Sequence, residues 1–243
     1  MKIVIVGSSP VMLLKAILLR HQHKNAKIEI HEKGNSVGGS WKTTTFQVIK
    51  SVETGSHIFA PWKNKVIYNQ YLDILRNKFK LKTYFLKAKP LNIINYNIKK
   101  NELKKIKYFY IKGGSGELLN SLIKHIKKNK IKIKYKSKKE KIFLKDNKNK
   151  LQSNGGVFLA DQVYLPYYCK FNLNSLYGRK TYSLKNSIHI LIKFSSRYQF
   201  KKKVSYIQKV SFSKLFDRLS NISSIFNVKD HIFSLRLSEN AKK

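Results

Sequence analysis

Ile3-Val4-Ile5-Val6 is an uninterrupted β-branched run that stops at Gly7. A short run that is apolar on both faces predicts a buried strand of a parallel sheet. Met12, Leu13, Ala16, Ile17 and Leu19 then recur at helical spacing and predict a helix over about residues 10–21. Pro10 suits its first turn, where no helical N–H is needed. Lys27-Ile28-Glu29-Ile30-His31-Glu32 predicts the next strand. Strand, tight turn, helix and strand within 32 residues make one βαβ unit, with a right-handed crossover expected.

Residues 34–41 form a loop carrying the pair Gly38-Gly39. Mixed signals follow: a helix around 71–79, then alternation near 80–86. Gly113-Gly114-Ser115-Gly116 opens an amphipathic helix whose apolar face holds Leu118, Leu119, Leu122, Ile123 and Ile126. Ile131-Lys132-Ile133-Lys134-Tyr135 alternates with period two, the pattern of a strand. The Lys/Asn-rich stretch 145–154 is expected to be loop. Residues 156–165 supply two short extended pieces, the second stopped by Pro166. Beyond Tyr182 the pattern becomes β-like at 189–194, 204–210 and 231–237.

The first turn is where chemistry is expected. A parallel strand, a glycine turn and a helix start make a phosphate site, because helix N–H groups and the helix dipole both point at the anion. The dinucleotide fingerprint is G-x-G-x-x-G. Here it reads Gly7-Ser8-Ser9-Pro10-Val11-Met12, so Ser9 and Met12 replace the second and third glycines. Its position between an apolar strand and a helix is what supports the assignment. Glu32 ends the second strand, where a carboxylate accepts ribose hydroxyls; an ordinary solvated acid at a strand end is the alternative.

Four segments extend this reading. Glu32-Lys33-Gly34-Asn35-Ser36-Val37-Gly38-Gly39-Ser40-Trp41 is an acid followed by a double glycine. Glu53-Thr54-Gly55-Ser56-His57-Ile58-Phe59 is an acid followed by Gly-x-His-x-Phe, Gly113-Gly114 precedes Leu118 and Leu122, and Ala160-Asp161-Gln162-Val163 is a short extended piece. In this order they resemble the flavin amine-oxidase-like superfamily, which includes protoporphyrinogen oxidases, phytoene desaturases and UDP-galactopyranose mutases. The resemblance covers most of residues 1–165. It implies an α/β fold, with a Rossmann-like FAD/NAD(P)-binding domain interleaved with a smaller sheet-rich substrate domain. The expected bounds are 1–63 and 106–168 for the first, 64–105 and 169–243 for the second.

It further implies bound FAD, its diphosphate at Gly7, Ser8, Ser9, Pro10 and Val11 and its adenosine ribose on Glu32. Gly38, Gly39, Ser40 and Trp41 would add contacts. His57 would lie near the flavin ring, or be a loop histidine bonded to backbone. The implied activity is a FAD-dependent oxidoreductase that moves a hydride from a small-molecule substrate to flavin, with mutase-like chemistry as a variant. Catalytic residues and substrate are left unassigned. Members of the superfamily also carry a Gly-Asp segment near their C-terminus, and this sequence contains no Gly-Asp pair. That points to a second chain supplying the segment, or to a truncated, flavin-free homologue without activity.

Composition changes the picture little. The formal charge is +39, which suits a polyanionic partner. Yet only Arg20, Arg76, Arg179, Arg197, Arg218 and Arg236 are arginines, and base edges and phosphates favour the planar guanidinium. Lysines that travel with Asn and Ile, as over 127–134, fit a compositional bias better than a nucleic-acid or anionic-surface binder, which stays the second alternative. Tyr164, Tyr167, Tyr168 and Phe171 fit core aromatics better than a base-stacking surface. His21 and His23 are expected at a helix-end surface, and no metal site is expected. Cys169 is the only cysteine, so a reducing compartment, the cytoplasm, is expected. No uncharged run reaches the roughly 20 residues that span a bilayer.

Overall fold

The computed structural model describes residues 1–46, 49–53, 65–85, 89–92, 109–137, 139–143, 149–153, 156–166, 172–175, 178–181, 189–194, 204–208, 216–221, 223 and 231–237. In chain order these begin with β1 (Lys2–Val6), α1 (Pro10–Gln22), β2 (Lys27–His31), a 3-10 turn at Gly39–Trp41, β3 (Thr43–Phe46) and β4 (Ile49–Glu53). Next come α2 (Lys65–Asp73), which runs into a π-helical turn at Ile74–Lys78, then β5 (Thr83–Phe85), β6 (Lys89–Asn92) and β7 (Phe109–Ile111). After α3 (Gly114–Lys128) follow β8 (Lys132–Lys134), β9 (Lys139–Phe143), β10 (Asn149–Ser153), β11 (Gly156–Ala160) and β12 (Gln162–Tyr164). The last strands are β13 (Asn172–Ser175), β14 (Gly178–Thr181), β15 (His189–Phe194), β16 (Val204–Gln208), β17 (Phe216–Asn221) and β18 (His231–Leu237).

Two compact units emerge, each built from two stretches of chain. One is Met1–Trp41 with Leu119–Lys185, the other Lys42–Leu118 with Asn186–Lys243. The first unit holds a four-stranded sheet in the order β12-β1-β2-β8, and every pairing in it is parallel. Ile3, Val4 and Ile5 of β1 have no exposed surface, as a strand covered on both faces requires. Each such side chain contributes about 1.5–3 kcal/mol of burial. Met12, Leu13, Ala16, Ile17 and Leu19 form the buried face of α1. Val4 and Val6 turn to the opposite side and pack with Leu151 and Ala160, joined by Phe158, Val163 and Leu165. That second layer is the sheet β11-β10-β9-β13-β14. Asn149–Ser153 is therefore a strand, where composition predicts loop. It pairs antiparallel with both neighbours, and Leu151, fully buried, fastens it.

The second unit carries the sheet β15-β18-β17-β16-β6 and the hairpin β3-β4. Val52 and Ile232, both fully buried, make its core with Phe46 and Leu191 packed against them. The helix expected around 71–79 starts earlier, at Lys65, and its π-helical turn closes with Phe79 N–H to the Ile74 carbonyl at 3.1 Å. No helix among the described residues is long and apolar enough to cross a membrane.

The end of α3 shows how local sequence and backbone disagree. Lys130 N–H reaches the Lys127 carbonyl at 3.0 Å, and Ile131 N–H the Ile126 carbonyl at 3.1 Å. These two bonds are a Schellman motif, and Ile126 and Ile131 are the buried apolar pair that accompanies it. The motif puts Lys130 at φ +53°, in the left-handed region that favours glycine. Lys130→Gly is thus expected to stabilise the protein by about 0.5–1 kcal/mol, because removing the Cβ strain outweighs the added chain entropy. Thermal melts should show a rise of about 2 °C; a fall would mean that the lysine side chain contributes more than the backbone strain costs.

Candidate functional site

In an open α/β sheet, ligands bind beyond the carboxyl ends of the strands, at the point where strand order reverses. Here the chain runs from β1 outward through β2 to β8, then returns to place β12 on the other flank of β1. The reversal lies beside the end of β1. Gly7 sits there at φ +87°, and a Cβ added to it would meet Pro166, just past β12, at 3.8 Å. Space would admit a side chain at Gly7, so the left-handed backbone is what requires glycine. Gly7 N–H bonds the His31 carbonyl at 2.8 Å and so carries the β1–β2 pairing one step further.

The positions where the fingerprint departs from glycine are accommodated. Ser9 has φ −60° and ψ 159°, ordinary for the residue that precedes a helix. Its side chain makes no capping bond, and the first turn of α1 holds no acid. A first turn without an acid leaves its N–H groups and the positive end of the α1 dipole to a ligand phosphate. Pro10 is buried, while Val11 projects outward with 72% of its surface exposed. Met12 is buried in the α1 face.

Glu32 and the double-glycine loop converge on this turn. The Glu32 Oε2 atom accepts the Ser8 N–H at 3.0 Å and the Ser8 hydroxyl at 2.5 Å. Its Oε1 accepts the Gly34 N–H at 2.8 Å. Gly38 N–H in turn donates to the Ser8 carbonyl at 3.0 Å and to Ser8 Oγ at 3.2 Å. Gly38 has φ +111° and Gly39 φ +56°, so both need glycine's backbone freedom. A Cβ on Gly39 would meet nothing within 4 Å, so the loop borders open space there. Gly39, Ser40 and Trp41 form the 3-10 turn, with Trp41 N–H on the Gly38 carbonyl at 2.9 Å.

Residues 5–75 match the sequence family of NAD(P)-binding Rossmann-like domains. No curated protein sequence matches the chain. Among solved structures, a protein from Exiguobacterium sp. 255-15 provisionally assigned as a protoporphyrinogen oxidase superposes with a TM-score of 0.65 at 10% identity, over 97% of this chain and 76% of that one. Putrescine oxidase bound to putrescine gives a TM-score of 0.62 at 11% identity, over 100% of this chain and 77% of that one. The chain shares the fold of these two oxidases. An oxidoreductase from Methanosarcina mazei also shares it, with a TM-score of 0.62 at 10% identity over 100% of this chain and 81% of that one. Identities this low carry the fold and no more.

Within this fold, the structure ties Ser8 to both Glu32 and Gly38 by hydrogen bonds, with Gly7 next to Ser8, and places Ser9, Pro10 and Val11 at the adjoining helix start. His57 lies outside the described residues. Sequence reasoning missed Gly34 and Pro166. Gly34 is two positions past the acid, close enough for its N–H to turn back on the carboxylate, and that spacing was a usable signal. Pro166 becomes a neighbour of Gly7 only through the parallel β1–β12 pairing, which no local pattern announces.

Under the sheet end lies a second polar group that sequence reasoning also missed. Glu29 and His31 point to the side covered by β11, where Glu29 is 2% and His31 1% exposed. Glu29 Oε2 meets Lys134 Nζ at 2.9 Å and His31 Nε2 at 3.3 Å. Burial pushes the Glu29 carboxyl up, but hydrogen bonds and charge from Lys134 and His31 outweigh it and lower the pKa to about 2. Phe158 closes the group, with its ring edge-on to His31 at 5.3 Å and beneath Lys134 Nζ at 4.9 Å. The group supports the site from below: Glu32 N–H bonds the Lys134 carbonyl, and Ser137 N–H the Glu32 carbonyl, each at 2.8 Å.

Proposed function

We propose that the chain is a FAD-dependent oxidoreductase of the amine-oxidase-like type, taking a hydride from a small-molecule substrate. The observation that carries this reading is the convergence of Gly7, Ser8, Glu32 and Gly38 at the end of β1, beside a helix start without an acid of its own. In this reading the backbone from Gly7 to Val11 cradles the diphosphate, Glu32 accepts from the adenosine ribose, and Gly38 to Trp41 line the approach. The flavin, when bound, supplies the hydride acceptor. The chain's own residues bind and orient it: α1 directs its dipole at the phosphates, and the Ser8–Gly38 bonds hold the loop against the turn. His57 is the residue we assign to the neighbourhood of the ring. The single cysteine is in keeping with work in a reducing compartment such as the cytoplasm.

The test is the visible spectrum of the purified protein after incubation with excess FAD and removal of the unbound fraction. Retained flavin bands at near one equivalent are expected. Glu32→Ala should weaken binding by about 10- to 100-fold, the worth of a hydrogen bond to a charged acceptor. A folded protein that stays colourless and cannot be reconstituted would overturn the assignment.

A further inference from the structure

Hydrogen-bond capacity at Glu32 leads to a sharper statement about the ribose. A carboxylate has about four acceptor positions, two on each oxygen. On Oε2 both are in use, by the Ser8 N–H and the Ser8 hydroxyl. On Oε1 one is in use, by the Gly34 N–H. One acceptor position remains. A ribose 2′,3′-diol that straddles a carboxylate needs a free position on each oxygen, and Oε2 offers none.

Ser8 is not free to turn away. Its oxygen accepts the Gly38 N–H at 3.2 Å while its proton goes to Glu32, and the residue is only 1% exposed. The hydroxyl is thereby held on both sides, donating to the acid and receiving from the double-glycine loop. A serine here does internally what one ribose hydroxyl would do from outside.

We infer that Ser8 is a specificity-determining residue, one that reduces Glu32 to a single-point acceptor of the adenosine ribose. This rests on the dinucleotide reading of the site. The site recognises one of the two ribose hydroxyls and is indifferent to the other. Removing the Ser8 hydroxyl frees a position on Oε2 and restores two-point recognition.

The experiment is calorimetric titration of the purified full chain with ADP, 2′-deoxy-ADP and 3′-deoxy-ADP, for wild type, Ser8→Ala and Ser8→Thr. In the wild type, one deoxy analogue should bind within twofold of ADP, and the other about tenfold more weakly. Ser8→Ala should bind ADP about tenfold tighter and lose affinity for both analogues. Ser8→Thr, which keeps the hydroxyl, should behave as wild type. The inference is overturned if both analogues lose affinity equally in the wild type, a measurement that needs no variant to fold. It is also overturned if Ser8→Ala discriminates among the three nucleotides as the wild type does. Those outcomes leave the dinucleotide reading standing, whereas absence of ADP binding to wild type and Ser8→Ala alike would remove both.

Discussion

Glu29→Gln is expected to lower the unfolding free energy at pH 7 by about 3 kcal/mol, although residue 29 touches no part of the proposed cofactor site. The carboxylate is 2% exposed and faces Lys134 and His31. Glutamine fills the same space but leaves the Lys134 ammonium, whose side chain is 29% exposed, beside a neutral group, and a largely buried pair broken on one side costs more than the pair contributes. The pH dependence follows from the lowered pKa. A carboxyl at about 2 in the folded chain and about 4.5 unfolded stabilises the fold fully above pH 4.5. That contribution fades as the pH falls toward 2. Wild type and Glu29→Gln should therefore converge between pH 4.5 and 2. Self-repulsion of the +39 chain grows at low pH in both proteins and cancels in the difference. Urea melts at pH 7, 5, 4 and 3 decide it: parallel stabilities down to pH 3 would show that the ion pair contributes nothing.

A loss there should reach the site. Glu32 N–H hangs on the Lys134 carbonyl and the Glu32 carbonyl receives Ser137 N–H, so the strand that carries Lys134 also sets the height of the acid. Lys136 N–H on the Gly34 carbonyl at 2.9 Å adds a third tie, with Lys136 held at φ +52°. The proposed ribose acceptor thus stands on a loop laced to β8, and β8 is held to β2 partly through Glu29.

What the sequence revealed and what it hid divide along this line. The βαβ unit was legible because each part is local: the β-branched run of β1, the apolar face of α1, the glycine between them and the acid after β2. The double glycine at 38–39 was legible only as a resemblance. Its bond to Ser8 joins positions 30 apart, and the Ser8–Glu32 clasp joins positions 24 apart. Side-chain contacts of that kind leave no periodic trace. The buried Glu29–His31–Lys134 group was hidden for a different reason. Alternation in 27–32 marks a strand, and its polar members would ordinarily face water. They are buried on the face that packs against β10 and β11, and β10 forms from a Lys/Asn-rich stretch whose composition speaks for loop. Leu151, fully buried and fastened by ladders on both sides, overrides that composition.

Glu53→Ala is the counterpart in the second unit, with an expected cost of about 3 kcal/mol. Glu53 closes β4, has no exposed surface, and accepts the Ser115 N–H in the first turn of α3 through Oε1. Two contributions combine in that contact. The N–H belongs to the unpaired first turn of a helix, where a buried donor left without an acceptor costs about 1–3 kcal/mol. The negative charge also lies at the positive end of the α3 dipole, adding up to about 2 kcal/mol in partly buried geometry. Gly113 and Gly114, at φ +83° and +71°, bend the chain into that first turn. The acid before the Gly-x-His segment therefore holds the helix start that follows the double glycine. Glu53→Gln separates the two contributions: it keeps an acceptor for Ser115 and removes the charge, and should cost about half as much as alanine. Thermal melts should fall by about 6–12 °C for Glu53→Ala. Equal losses for the two variants would assign the whole effect to charge, whereas a glutamine variant that melts with the wild type would assign it to the hydrogen bond.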